Sequence, residues 1–131
     1  MTASPEAVAL SIAAAEAAAD KLAEDIMAID VSEKLVITDV FVLCSAANER
    51  QVKGVVDGIE ERLHGMGAKP LRREGEGEGR WVLLDFGDIV VHVQVAEERI
   101  HYAIERLWKD CPLIELPEAV NQGRRRPQGA E

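Results

Sequence analysis

Asp39 has the most direct route to chemistry, because it heads an almost wholly apolar run, DVFVLCSA from Asp39 to Ala46. Phosphoryl-transferring enzymes hold Mg²⁺ on strand-borne carboxylates. A two-metal site needs a second carboxylate two residues on, where the strand period returns the side chain to the same face. That position is Phe41. Asp39 therefore reads as a strand-start turn or a helix-capping residue. The stretch GEGEG, Gly75 to Gly79, lacks the Lys-Ser/Thr of a phosphate-binding loop and sets two glutamates where phosphate would lie, so it reads as a flexible hairpin loop. His64, His92 and His101 show no i, i+4 pairing of the zinc-protease kind. Ser45 follows Cys44 and is not in a G-x-S-x-G elbow. No nucleophile with its base, no metal site and no cofactor is read, and the chain is taken as a non-enzyme.

The elements that would position any site follow an αββαβββα order. Ser4-Pro5-Glu6 has a capping hydroxyl, a first-turn proline and a dipole-favoured acid, and predicts a helix of about 18 residues with a stripe through Val8, Ile12, Ala15, Ala19 and Leu22. Asp25 to Val31 reads as a short strand and Asp39 to Ala46 as a central one. Asn48 opens a second helix with Gln51 in capping-box position. Its buried stripe is Val52, Val55, Val56, Ile59 and Leu63, and Gly65 and Gly67 end it. Lys69 to Arg73 is a candidate edge strand, where Pro70 costs no important ladder bond. The last helix is expected from about Glu97 to Trp108, with Ile100, Ile104, Leu107 and Trp108 inward and Tyr102 on the charged flank. The fold class is thus α/β, a single mixed sheet of about five strands with three helices.

Between Gly79 and Val95 the sequence GRWVLLDFGDIVVHVQV specifies a hairpin and its register. Gly87-Asp88 is a two-residue turn needing glycine's freedom at positive φ, which puts Phe86 opposite Ile89, Leu84 opposite Val91 and Val82 opposite Val93. Those six make one apolar face, and it belongs to the core. The other face sets Trp81, Leu83 and Asp85 against Gln94, His92 and Val90. An aromatic among polar groups is the composition of a contact surface, but a helix lying over this face would make Trp81 ordinary core. The strands alone leave both readings open.

A chain of 131 residues forms one domain able to bury roughly two thirds of its surface without staples. Cys44 and Cys111 have no partner cysteine at ligand or CxxC spacing and read as buried free thiols, which suits a reducing cytoplasm. The Ala-rich start is interrupted by charges, so neither export nor membrane spanning is indicated, and a cytoplasmic location is expected. The net charge is −9. The stretch after Leu116 holds three Arg against two Glu, which leaves −10 on the chain before it. Such a body repels phosphate, so no sequence-specific nucleic-acid binding is expected, and a basic protein partner fits better. Residues 1–117 are read as the domain and residues 118–131, with Arg124-Arg125-Arg126, as a disordered basic tail.

Three blocks in order, DVFVLCSAANERQVKGVVDGIEERL, GRWVLLDFGDIVVHV and YAIERLW from Tyr102 to Trp108, resemble the ribosomal silencing factor family, also called Iojap-like, and the likeness runs from about Ala7 to Pro117. Where the family has Asp-Tyr-Phe this chain has Asp39-Val40-Phe41, and Gln94 stands two residues after the strand histidine, where an aromatic is often found. The resemblance implies a nucleotidyltransferase-like fold without the catalytic carboxylates. It also implies binding to the large ribosomal subunit through its fourteenth protein, a block to joining of the two subunits, and repression of translation under nutrient limitation. On this reading Trp81, Leu83, Asp85, His92 and Tyr102 are the partner-binding candidates. His92 stays open between a polar contact and a structural histidine hydrogen-bonded within the sheet. A degenerate nucleotide-binding or nucleotidyl-transferring enzyme is the alternative function, and a homodimer on the same face is an alternative arrangement of the free chain.

Overall fold

In the computed structural model, which describes residues 2–121, Ser4 is extended and its Oγ accepts from the Ala7 amide at 3.0 Å. This cap starts α1, Pro5–Asp20. The chain then forms β1 (Glu24–Asp30), β2 (Val40–Ala46), α2 (Glu49–His64), β3 (Arg72–Glu74), β4 (Trp81–Asp85) and β5 (Ile89–Val95). Three short helices follow: α3 (Ala96–Tyr102), α4 (Ile104–Leu107) and α5 (Glu118–Asn121). The sheet order is β1-β2-β5-β4-β3. Its central pair, β2 with β5, is parallel and the other pairs are antiparallel.

α1 and α2 cover one face of the sheet, over Val40, Val42, Cys44, Val82, Leu84, Ile89, Val91 and Val93. The α2 stripe is the expected one, Val52, Val55, Val56, Ile59 and Leu63. Asn48 Oδ1 accepts from the Gln51 amide, but the Gln51 side chain accepts from Ala47 instead of from the cap residue, and its Nε2 donates to the carbonyls of Lys21 and Leu22. That glutamine therefore joins the end of α1 to the start of α2. The stripe expected on α1 is wrong in phase. Ala7, Ser11, Ala14, Ala15 and Ala18 are its fully buried positions, while Val8, Ile12 and Ala19 are only partly buried and Leu22 lies past the helix end, exposed, at φ 67°. Alanine brings the helix backbone close to the sheet, and that shape preference outweighs the larger side chains on the neighbouring face.

The β4–β5 hairpin has the expected register throughout, Trp81 opposite Gln94 to Asp85 opposite Val90, closed by Gly87 at φ 90° with the Phe86 amide donating to the Ile89 carbonyl. The edge strand begins later than expected, at Arg72 and not Lys69, and leaves Pro70 outside the ladder. All three of its residues are exposed and charged, which blunts the edge against further pairing. GEGEG is the connection from β3 to β4. A side chain at Gly75 would collide with the Trp81 carbonyl, so this glycine is needed for a close backbone approach.

After β5 the structure departs furthest from expectation. The helix expected from Glu97 to Trp108 is broken at Ala103, whose φ of 41° and ψ of 55° are left-handed. Ile100 and Leu107 are 62% and 78% exposed instead of inward, while Ile104 is buried and Trp108 partly so. The segment Pro112–Ile114 then lies along the free edge of β1: the Asp30 amide donates to Pro112 and the Ile114 amide to Ala28, both at 2.8 Å. Order does not end near Pro117, because α5 follows and Val120 is buried against α1 and β1. The rest of the basic tail, Arg124–Arg126 included, lies outside the described residues.

Two stability outcomes are expected. Leu84 is fully buried between sheet and helices, and Leu84→Ala should cost about 2–5 kcal/mol in urea unfolding. Ala103→Gly should raise stability by up to about 1 kcal/mol, since relief of the left-handed penalty exceeds the extra unfolded-state entropy. A loss on Ala103→Gly would show that the turn is not left-handed in solution.

Candidate functional site

The strand period that fills the core with one face of β2, β4 and β5 leaves Phe41, Leu43, Ser45, Trp81, Leu83, Asp85, Val90, His92 and Gln94 on the other. The short helices α3 and α4 cover only part of it. A second, smaller cluster forms there from Ile29, Val31, Leu43, Ile104 and Cys111, with Phe41, Trp81 and Trp108 partly buried around it. Trp81 is thus neither wholly core nor wholly free. One side of the indole packs on this cluster and the other reaches a shallow groove shared with Glu74, Gly75 and Leu83.

Four of the five candidate residues are brought together. The Trp81 indole Nε1–H donates to His92 Nδ1 at 3.1 Å. The half-exposed Tyr102 ring lies against Trp81 with centroids 4.9 Å apart. Phe41 meets His92 edge-on at 5.4 Å and Trp108 at 5.2 Å, so one chain of ring contacts crosses the face from Trp108 to Tyr102. Leu83 lies beside His92 in the ladder. Asp85 is used differently: Oδ1 accepts from the Gly87 amide of the turn at 2.8 Å, and Oδ2 lies 3.4 Å from Arg72. Phe41 and Trp108 belong to the ring chain although neither was among the candidates. Phe41 was findable, since period 2 from Leu43 puts it on this face.

His92 is 7% exposed and Arg99, on the inward side of α3, is 4% exposed. The Arg99 Nε donates to Glu105 at 3.1 Å. Burial, and then the neighbouring Arg99 charge, push the His92 pKa down to about 4. Indole is only a donor, so His92 Nδ1 is unprotonated and the neutral ring carries its proton on Nε2. That Nε2, both side-chain polar atoms of Gln94 and Nη1 of Arg99 are buried without a hydrogen-bond partner among the described residues. Cys44, on the core face, is pushed up to about 12 by burial, which makes it an unreactive thiol.

The Asp39 carboxylate acts on the backbone. Asp39 Oδ2 accepts from the Ser4 amide and Asp30 Oδ2 from the Ala3 amide, each at 2.9 Å, so two aspartates, one ending β1 and one just before β2, fix the entry to α1. At the carboxyl ends of the parallel strands, where open α/β sheets commonly bind ligands, a crevice of about 170 Å³ is lined by Asn48, Glu49, Arg80 and Glu97. Arg80 reaches Glu49 at 3.2 Å, Glu97 at 2.9 Å and Glu98 at 3.3 Å. The hydrogen bonds that Arg80 donates to Glu97, Glu98 and Glu49 hold its pKa further up. One cation and three carboxylates fill this position.

A family model described as "Ribosomal silencing factor during starvation" matches residues 4–131. The chain belongs to the ribosomal silencing factor family. It is 42% identical over 113 residues to the ribosomal silencing factor RsfS of Bacillus subtilis, covering 86% of this chain and 95% of that one. It is 30% identical over 115 residues to the chloroplastic protein Iojap of Zea mays, covering 86% of this chain and 49% of that one. Among solved structures, protein CV0518 from Chromobacterium violaceum superposes with a TM-score of 0.74 at 34% identity, covering 77% of this chain and 84% of that one. A Bacillus halodurans protein superposes at 0.71 and 34%, covering 86% and 100%. The family is one of ribosome-associated translation regulators, and no helix among the described residues of this member is long and apolar enough to cross a membrane.

The depressed His92 pKa sets a pH dependence. The ordinary value is 6.5 and the folded value about 4, so in that window the unfolded chain binds the extra proton. Stability from this group is complete above pH 6.5 and is lost as pH falls toward 4, by up to about 3 kcal/mol. Urea unfolding between pH 7 and pH 4.5 should show this slope, and His92→Leu should flatten it.

Proposed function

We propose that this chain silences ribosomes by binding, through the outer sheet face, the fourteenth protein of the large subunit, so that the small subunit cannot join and translation falls under nutrient limitation. The observation that carries this reading is the partly covered aromatic face, Trp81 with Tyr102 and Leu83, on a family member whose described surface is dominated by acids. A ribosomal protein is basic, and a negative body steers toward it while the aromatic centre supplies short-range contact. The action is stoichiometric and non-enzymatic. Support for that comes from Asp39, whose carboxylate is bonded to the Ser4 amide, and from the crevice at the strand ends, where Glu49, Glu97 and Glu98 oppose a phosphate. A cytoplasmic location and a self-associated free form on the same face belong to the same reading.

The test is sedimentation with purified large subunits, with and without small subunits. The protein should travel with large subunits, lower the yield of joined ribosomes in proportion to its amount, and need no nucleotide. Trp81→Ala should weaken binding by roughly thirtyfold, the loss of an anchor of about 2 kcal/mol, while destabilising the fold less than Leu84→Ala does. Normal binding by a folded Trp81→Ala protein would move the docking surface elsewhere. Raising salt tenfold should slow association more than it speeds dissociation. An affinity indifferent to salt would argue against electrostatic steering.

A further inference from the structure

His92 lies in a buried part of the outer face, between Leu83 on β4 and Leu43 on β2, with the edge of Phe41 against its ring. An aliphatic side chain there would pack against the same neighbours without burying polar nitrogens. The histidine instead leaves Nε2 without a partner among the described residues, which is unfavourable in a buried site. What it gains is the 3.1 Å bond from the Trp81 indole to Nδ1. At 7% exposure, with Nδ1 already engaged, His92 presents little to a partner itself. Trp81, by contrast, projects from the outermost row of β4 toward an open groove, where an indole otherwise has several staggered rotamers to choose from. A hydrogen bond from its only donor, together with the Tyr102 ring on another side, selects one.

Resting on the docking reading above, we propose that His92 is a positioning residue for recognition: it acts through Trp81, holding the indole in the orientation that the ribosomal partner meets. Arg99 lies beneath α3 on the same face and opposes a proton on the ring, and a protonated Nδ1 could not accept the indole bond. Preorganisation of this kind improves binding by removing an ordering cost, without adding a contact to the partner.

The experiment uses the full chain and purified large subunits, with two readouts: affinity, and the NMR resonance of the Trp81 indole N–H. His92→Leu removes the acceptor, so the indole resonance should move toward its solvent-exposed value and affinity should drop about tenfold. His92→Asn places an oxygen near the Nδ1 position and should restore most of both. In a Trp81→Phe background, which has no N–H to hold, adding His92→Leu should change affinity no further. An equal loss in both backgrounds, or unchanged affinity in His92→Leu, overturns the positioning role. If His92→Leu does not fold, His92→Asn is compared with His92→Gln, whose oxygen falls nearer Nε2. Asn should bind more tightly than Gln, and equal binding overturns the proposal. Trp81→Ala separates the two levels. Weakened binding there with normal binding in His92→Leu leaves the docking face standing and removes only the histidine's role. Normal binding by Trp81→Ala removes both.

Discussion

The parallel pairing of β2 with β5, from Val40 beside Ile89 to Ala46 beside Val95, is the constraint from which the rest of the molecule follows. The two strands are central, so most of their residues are buried on both faces, and a parallel pair delivers its two chains to the same edge of the sheet. There α2 and α3 begin side by side. α2 packs back over the core face with its aliphatic stripe. α3 starts at Ala96, directly after the last strand residue, and packs on β2 and β5. The acids at the two helix starts converge as a result, and Arg80 from the adjoining end of β4 is held among Glu49, Glu97 and Glu98. The place where the topology would admit a ligand is closed by the chain's own charges.

The outer face is left with a cover that is short and internally conflicted. In one continuous helix, positions 99, 103 and 106 share a side and positions 100, 104 and 107 share another. Arg99 and Ile104 could not both face the sheet. The left-handed Ala103 resolves this by rotating the chain between them, and its consequence is that Ile100 and Leu107 remain outside. The polar side chains gathered below, Gln94, His92 and Arg99, and the apolar ones displaced above result from the same turn. Partial coverage also explains why Trp81 answers to both descriptions open to it from sequence, packed on one side and accessible on the other.

Legibility from sequence followed how many constraints acted on each element. The hairpin was read to the residue because a two-residue turn and a period of two jointly determine register, leaving no freedom to slip. The α2 stripe was legible because Val, Ile and Leu stand against Glu, Lys and Arg. α1 offered alanine on every side, so hydropathy could not choose the phase, and close approach to the sheet chose it. The apolar spacing of Ile100, Ile104, Leu107 and Trp108 is real, but buried Arg99 and its bond to Glu105 override it, and no local pattern announces a buried arginine. The bond from Trp81 to His92 was hidden for a different reason. The two are diagonal in the ladder, since Trp81 faces Gln94 directly, and only a ring as long as indole spans that offset. The candidate face could be read from alternation, whereas its wiring required coordinates.

Charge is distributed so that it acts at a distance from this face. Arg62 is shared by Glu16 and Asp20, Arg73 by Glu60 and Glu76, and Arg80 by three glutamates, so several of the arginines leave an excess of negative charge around them. These exposed groups contribute little to stability pair by pair. The ring chain from Trp108 to Tyr102 is built of neutral rings, and on the same face Arg99 is paired with Glu105 and Asp85 with Arg72, which also reaches Glu74 of the Trp81 groove. Under the docking reading the two properties divide the work. Unbalanced acids on the helices and the β3–β4 connection raise the rate at which a basic surface arrives, because a field of one sign extends about a Debye length into solution. The time it stays is governed by the aromatic centre, where desolvated contact and a prearranged indole operate over a few ångströms. A substitution among the acids and one among the rings should therefore differ in kind and not merely in size, the first altering arrival and the second altering departure.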